Sequence, residues 1–457
     1  MIKSKQKKFR SGRKKESLEQ RTMEKNFREF AKYASMNVMG MIGLSCYILA
    51  DTFFIAQGLG ADGLAALNLA IPVYSAVHGS GLMLGMGGAT KYAILKGQGV
   101  REGGSRMFTD TVAMAVVLAA FFMAAGLLGA GTVTRTLGAD AAVFDMTETY
   151  LKVILLFSPA FMANDILLCF IRNDGNPRLA MIAMLSGSFS NIILDYVFIF
   201  PLRMGIFGAV LATGFAPLIS MAVLSSHFIK KKNGFSLKRA LHLRQDAGSI
   251  LMLGFPSLIL EVASGLVIIV FNLLIMKLEG NVGVAAYGVI TNLSLVVIAI
   301  FTGIAQGMQP LTSRAYGQGR REETVCLLRY GLLTSLAIAA LLYGIVFFFA
   351  DPIALVFNRE QNETLQEMAV YGMKLYFTGI FFAGINVVLS MFFTSTELAL
   401  QAHGISLLRG LILIVPLAVL FARLGGMTGV WLAFPVTEAL TAGLGWVFGR
   451  NRYAHSG

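Results

Sequence analysis

Asn191 and Asp195 are polar interruptions in the apolar run SNIILDYVFIF, residues 190–200. A four-residue gap stacks the two side chains on one helix face, so an amide and a carboxylate can act on the same ligand. Asp51 interrupts a second such run and Thr213 a third. Carboxylate, amide and hydroxyl oxygens gathered in one place can hold a proton shared between the two acids, or coordinate a small hard cation such as sodium. Two like charges in a low-dielectric pocket do not both ionise comfortably, so the acids should titrate as a pair. Further along, Glu261, Arg409 and Glu438 also fall inside apolar runs and are expected to form one buried ion-paired group. That group is either a structural network or a site for a cationic substrate. His78 and His403 are read as lone histidines, each with one hydrogen-bonded neighbour, and Asp165 as paired with Arg172 or Arg178.

What positions these groups follows from hydropathy. The 457 residues are 56% hydrophobic and 14% charged, with mean hydropathy +0.69, whereas charged residues make up about a quarter of a soluble domain. Apolar stretches recur at 31–57, 63–90, 107–131, 147–171, 179–200, 206–229, 248–277, 284–311, 327–350, 366–394, 399–421 and 428–449. Most exceed the roughly 20 residues that carry a helix across the hydrocarbon core. The expected fold is therefore an all-α integral membrane protein of twelve spans; no period-2 alternation supports a β-barrel. Counted from the outer ends of their spans, Asp51, Asp195 and Thr213 lie at a common depth, roughly 10 Å below the surface. An ionisable group at the bilayer centre costs at least about 2.5 to 3.5 kcal/mol on insertion scales, which makes function the default reading of such residues.

Most of the 38 Lys and Arg fall in the tail KSKQKKFRSGRKK, in the segments near 91–106, 172–178, 230–244 and 314–329, and at Arg450 and Arg452. All lie on one side of a twelve-span count, which places both termini in the cytoplasm of a multi-pass cell-membrane protein. The formal charge of +13 thus fits a basic arm facing anionic lipid headgroups rather than nucleic acid. No signal peptide precedes the first span, and Cys46, Cys169 and Cys326 read as packing residues.

Two stretches repeat. GLMLGMGGATKYAILKGQGVRE from Gly81 parallels GIAQGMQPLTSRAYGQGRRE from Gly303, and GIFGAVLA from Gly205 parallels GMTGVWLA from Gly426, at offsets of 222 and 221 residues. A duplicated unit with six spans per half gives two parallel bundles related by an axis along the membrane normal. The expected organisation is a basic cytoplasmic tail 1–30, an N-lobe 31–229, a connector 230–247, a C-lobe 248–449 and a C-terminal tail 450–457. A cleft between two such bundles suits alternating access, so transport leads over a channel or a membrane enzyme. HExxH, P-loop and GxSxG signatures are absent.

These residues carry a resemblance. LADTFFIAQGLG around Asp51, LAALNLAIP ending at Pro72, RNDGNP at 172–177, NIILDYVFIF with MGIFGAVLAT, GFPS at 254–257 and the GIAQGMQP stretch together resemble the multidrug and toxic compound extrusion (MATE) family, closest to its DinF-like branch. The resemblance covers nearly the whole chain after the basic tail. It implies a V-shaped pair of six-helix lobes that exports amphipathic, often cationic compounds in exchange for protons or sodium ions; no other cofactor is expected, and a chain with a complete pair of lobes needs no partner to make a cleft, so a monomer is expected. The matching N-lobe positions are Asp51, Asn191, Asp195 and Thr213, and a sodium ion would be held at the first three. On the C-lobe side Glu261 lies on the helix where another branch carries an acid, and Asn386 stands where that branch has an aspartate. Lipid-linked oligosaccharide flippases share the same core and are the alternative; a pyrophosphate cargo would call for several arginines in the cleft, and Arg409 alone is clearly inside.

Overall fold

The structure is a computed structural model, described in full over residues 23–100, 102–358 and 361–448; the basic tail as far as residue 22 and the tail 450–457 lie outside those residues. The described secondary structure is all helix, joined by turns and one longer connector before Leu243. Eight helices are long and apolar enough to cross a membrane, nine if the bent pair Phe144–Leu156 and Ser158–Asn173, which meet at 48°, is one crossing. Three of the eight are hairpins. In Met23–Gly97 the helix breaks at Gly60, whose φ of 69° and ψ of −156° lie in a region essentially reserved for glycine. Three residues later the missing side chain of Gly63 lets the chain fold back, with Ile55 only 3.4 Å from where its Cβ would stand. Eight residues along a straight helix would separate those positions by about 12 Å. The same break and return occur at Gly280 and Gly283 in Leu243–Gly317 and at Gly426 and Gly429 in Ala399–Phe448. A fourth GxxG, Gly205 and Gly208, turns the chain between Pro177–Ile199 and Gly205–Leu224.

The arms and helices are labelled α1 (23–59), α2 (61–97), α3 (Glu102–Thr136), α4 (Phe144–Leu156), α5 (Ser158–Asn173), α6 (Pro177–Ile199), α7 (Gly205–Leu224), α8 (243–279), α9 (281–317), α10 (Arg321–Phe348), α11 (Ala350–Phe357), α12 (Glu363–Tyr376), α13 (Ile380–Ser395), α14 (Ala399–Leu407), α15 (414–425) and α16 (427–448). A π turn, Leu408–Ile412, joins α14 to α15. The N-terminal arms and helices carry two hydrophobic cores, one around Leu84, Phe170 and Phe235, the other around Ile55, Leu151 and Val210. A third, around Phe301, Phe392 and Trp431, fills the C-terminal half.

The two halves repeat each other, in a register that differs from the sequence alignment. Gly60 and Gly280, and likewise Gly99 and Gly319, are positive-φ pairs 220 residues apart. Aligning Gly81 with Gly303 is therefore two residues out over α2 and α9, because the glycine-rich stretch tolerates a gap. The contacts obey the 220 register: a Cβ on Gly97 would meet the Arg314 carbonyl, and one on Gly317 the Ile94 carbonyl.

Candidate coupling and binding site

Asn176 caps α6 by accepting from the Leu179 amide at 3.3 Å, with Pro177 in the first turn, a pairing of cap and preset φ that fixes where a helix begins. This start sets the rotation of α6, and both Asn191 and Asp195 end up fully buried. α1 supplies Asp51, 7% exposed, and α7 supplies Thr213, 4% exposed. The Asp51 and Asp195 carboxyls lie within hydrogen-bonding reach of one another, so one donates a proton to the other. Oriented to suit its neighbours, the Asn191 amide donates to Asp195 Oδ2 at 3.0 Å and its oxygen accepts from the Thr213 amide at 3.2 Å. All four sequence-expected residues thus meet at one place. Tyr47, one turn from Asp51, and Tyr150, whose hydroxyl reaches Thr213, complete the surroundings; the first was legible as an i, i+4 neighbour of Asp51, the second was not.

Beyond Tyr47 a cavity opens between α1, α2, α5, α6, α7, α8 and α9. Phe161, Met41 and Met184 give it apolar walls, and Tyr47 and Tyr74 line it, their hydroxyls 3.1 Å apart. Here two expectations fail. Asp165 pairs with His78, whose Nδ1 lies 3.0 Å from Oδ2, and with neither Arg172 nor Arg178. The helix crossing of α2 and α5 brings the imidazole to the carboxylate, whereas Arg172 sits two turns further along α5 and donates to Gln306 Oε1 at 2.7 Å. Glu261 does not join Arg409 and Glu438 either: it packs across the lobe interface against Gly79 of α2 and faces the same cavity as His78 and Asp165. The face that α8 turns toward α2, close enough that its Gly254 abuts the backbone of α2, decides this.

Arg409 and Glu438 do pair, at 2.7 Å and buried to 8% and 3% exposure, with Asn386 donating to Glu438 Oε2 at 2.6 Å and to its backbone carbonyl at 2.9 Å. The π turn at 408–412 carries Arg409, and such wide turns re-aim one side chain without ending the helix. The group is closed on itself, so its charges are neutralised within the C-terminal half. Arg409→Leu should therefore lower the stability of the detergent-solubilised protein by about 3 to 5 kcal/mol, because it strands Glu438, while Arg409→Leu with Glu438→Leu should recover most of the loss in a thermal melt. His403 has the single neighbour expected of it: Nε2 lies 2.6 Å from the Met252 carbonyl, which Pro256, lacking an N–H, leaves without its helical donor.

The geometry can be set beside known proteins. The MatE family model matches two stretches of the chain, 37–197 and 256–420, one on each half. The chain belongs to the MatE family. It is similar to the multidrug export protein MepA of Staphylococcus saprophyticus, 23% identical over 91% of this chain and 92% of that protein, and to MepA of Staphylococcus aureus, 24% identical over the same shares. Among solved structures it superposes on an outward-facing multidrug resistance MATE transporter with a TM-score of 0.89 at 22% identity, covering 94% of this chain and 96% of that one. A transporter of the wider superfamily from Pyrococcus furiosus superposes with a TM-score of 0.87 at 22% identity, over the same shares. MatE proteins are transporters, so an enzyme is excluded, and the placement within the DinF-like branch rests on the sequence motifs alone.

In this MatE protein one end of the interface between halves is sealed. Asn173 donates to Gln309 at 2.9 Å, Gln309 to Thr90 at 3.0 Å, Arg314 to Glu29 at 3.0 Å, and Lys91 pairs with Glu397. This is the end that the charge distribution assigns to the cytoplasm. Nearby, in the turn after α5, Asp174 accepts from Lys96 and Tyr92, each at 2.5 Å, and from the Gly234 amide at 2.6 Å, with His227 Nε2 at 2.9 Å. Burial of this carboxyl works against its charge, yet the hydrogen bonds outweigh it and hold Asp174 below the ordinary carboxylate range. A depressed folded-state pKa contributes stability that is fully present above the unfolded value near 3.9 and disappears as pH falls through the folded value. Wild-type melting should therefore drop below about pH 4 more steeply than that of Asp174→Asn, which is already weakened at neutral pH.

Proposed function

We propose that this chain is a secondary antiporter that exports amphipathic cationic compounds in exchange for protons, by alternating access between two lobes, 31–229 and 248–449. Each hairpin arm crosses the membrane once, which gives twelve crossings with both termini in the cytoplasm. One copy of the chain contains both lobes and therefore a complete cleft. The observation that carries the coupling is the contact between Asp51 and Asp195, two acids close enough that a single proton serves both. The contact between the two carboxyls favours a proton over sodium, since they already lie close enough to share one. The MepA relatives, named as multidrug exporters, support a xenobiotic cargo. A flippase for lipid-linked oligosaccharides fits less well, because the cavity offers one arginine, Arg172, against two acids, Asp165 and Glu261.

Inward proton movement releases about 2.3 kcal/mol per 100 mV in addition to any pH gradient, and it drives export only if the proton favours one lobe arrangement over the other. Proteoliposomes with the proton and sodium gradients imposed separately test the reading. A pH gradient alone should drive uptake of a fluorescent organic cation into everted liposomes; drive by sodium alone would move the coupling to that ion, and no movement under either would end the antiporter reading.

A further inference from the structure

Between α7 and α8 the connector runs as a strap pinned along α3. Every second amide is given to a side chain of the N-terminal half, as an extended chain allows: Gly234 donates to Asp174 Oδ2 at 2.6 Å, Ser236 to Ser105 Oγ at 3.1 Å and Lys238 to Thr109 Oγ1 at 2.9 Å. Further on, His242 donates to Asp110 Oδ1 at 2.9 Å. Phe235 anchors the middle, buried among the rings of Tyr92, Phe108 and Phe170. With these donors satisfied by protein, the strap needs no water on its inner edge and can lie where water is scarce. Its place on α3 says where that is. Val116 comes seven residues after Thr109, hence on the same face of the helix and about 10 Å along it. Val116 and Val117 are exposed apolar side chains of a helix long and apolar enough to cross a membrane, so the strap lies beside a lipid-facing flank, away from the cleft between the halves.

The outer face of the strap is basic and apolar at once. Lys230, Lys231, Lys232, Lys238, Arg239 and Arg244 are exposed, and no acid occurs between residues 228 and 245. Nearby cations at this end of the molecule are paired within the protein: Lys91 with Glu397, Lys96 with Asp174, Arg106 with Asp246, Arg314 with Glu29 and Arg320 with Glu323. None of the strap's exposed Lys and Arg makes an ion pair among the described residues. Interleaved with them, Ile229, Leu237 and Leu241 stand 77%, 64% and 54% exposed. Free phosphate would use the cations and leave the apolar side chains in water, and an apolar protein partner would do the reverse. The edge of a lipid leaflet offers anions and hydrocarbon at adjoining levels. We propose that the outer face of residues 229–244 is a docking surface for anionic phospholipids, with the Lys and Arg side chains on the headgroup phosphates and Ile229, Leu237 and Leu241 among the first acyl carbons. This surface is separate from the basic tail 1–30, and its occupancy needs neither cargo nor gradient.

The test is fluorescence anisotropy on the purified full-length protein in detergent, titrated with short-chain phosphatidylglycerol or phosphatidylcholine carrying the same acyl-chain fluorophore. Each cation near an anionic surface contributes about a fivefold factor, so wild-type protein should prefer phosphatidylglycerol by about tenfold or more. Lys230→Gln, Lys232→Gln, Lys238→Gln and Arg239→Gln combined should remove that preference and leave helicity and the affinity for phosphatidylcholine unchanged. The strap is held by its amides and by Phe235, not by these side chains, so the variant keeps its fold. Lys230→Arg, Lys232→Arg, Lys238→Arg and Arg239→Lys combined should retain the preference. So should Lys3→Gln, Lys5→Gln, Lys7→Gln and Lys8→Gln in the basic tail. Leu237→Asn with Leu241→Asn should weaken both lipids alike. Equal binding of the two lipids by wild-type protein overturns the proposal, as does a preference that survives in the strap Gln variant. Inorganic phosphate or polyglutamate that displaces phosphatidylglycerol as effectively as the unlabelled lipid does, with the leucine variant unaffected, would make the strap a general anion site and overturn the lipid assignment.

Discussion

Asp51→Asn and Asp195→Asn should each reduce proton-driven efflux of a fluorescent cation to the level of protein-free liposomes, while the purified variants remain monodisperse and fully helical. An amide has nearly the shape of a protonated carboxyl and puts an N–H donor where that acid has its O–H, so either variant imitates the pair in its proton-bearing state. Packing around two nearly inaccessible residues is preserved, and the hydrogen bond from Asn191 to Asp195 Oδ2 survives in Asp51→Asn. What is lost is the option of giving the proton up, and a site with one state cannot bias two lobe arrangements differently. Asn191→Ala should weaken coupling by a smaller factor, since it removes a hydrogen bond worth about 1.5 to 3 kcal/mol to a charged partner and leaves both acids in place. Normal efflux rates in both aspartate variants would remove the acid pair from the mechanism.

The acid pair was legible in the sequence because hydrocarbon punishes charge whatever its neighbours are: Asp51 and Asp195 announce themselves by composition, and the i, i+4 rule adds Asn191. Pairing was not legible to the same degree. That His78 of α2 meets Asp165 of α5, and that Glu261 turns toward them instead of toward Arg409, depends on which face each helix presents at a crossing, and an apolar run hides its rotation. The turns show the same division. GxxG at Gly205 and Gly426 was visible as a repeat, while Gly60 and Gly280, embedded in more ordinary surroundings, became recognisable only by their backbone angles. Where the sequence alignment slipped by two residues, between Gly81 and Gly303, an excess of glycine made several registers look equally good. The twelve apolar stretches, in contrast, each fall on helix, because a backbone without water must satisfy its own polar groups.

Gly254→Ala is expected to abolish transport without touching any charged group. The main chain of α8 at Gly254 lies against the Met83 carbonyl of α2, and the reciprocal residue, Gly87, lies against the Ile250 carbonyl; a Cβ at either position would overlap the opposing backbone. Backbone atoms cannot step aside as a flexible side chain can, so the two helices must separate, and with them the interface that seals this end of the two halves. Closure requires that contact while opening does not, and the methyl therefore penalises one of the two arrangements that alternating access needs. Spin labels on Gln98 and Gln318, exposed at the adjoining ends of α2 and α9, should report a longer distance in Gly254→Ala than in wild-type protein, and efflux should fall to background. Gly248→Ala, one and a half turns earlier on the same helix with open space around its Cβ position, should change neither and should gain about half a kcal/mol or more from helix propensity. An unaltered label distance in Gly254→Ala would mean that the crossing yields elsewhere and that the glycine contact does not set the closed state.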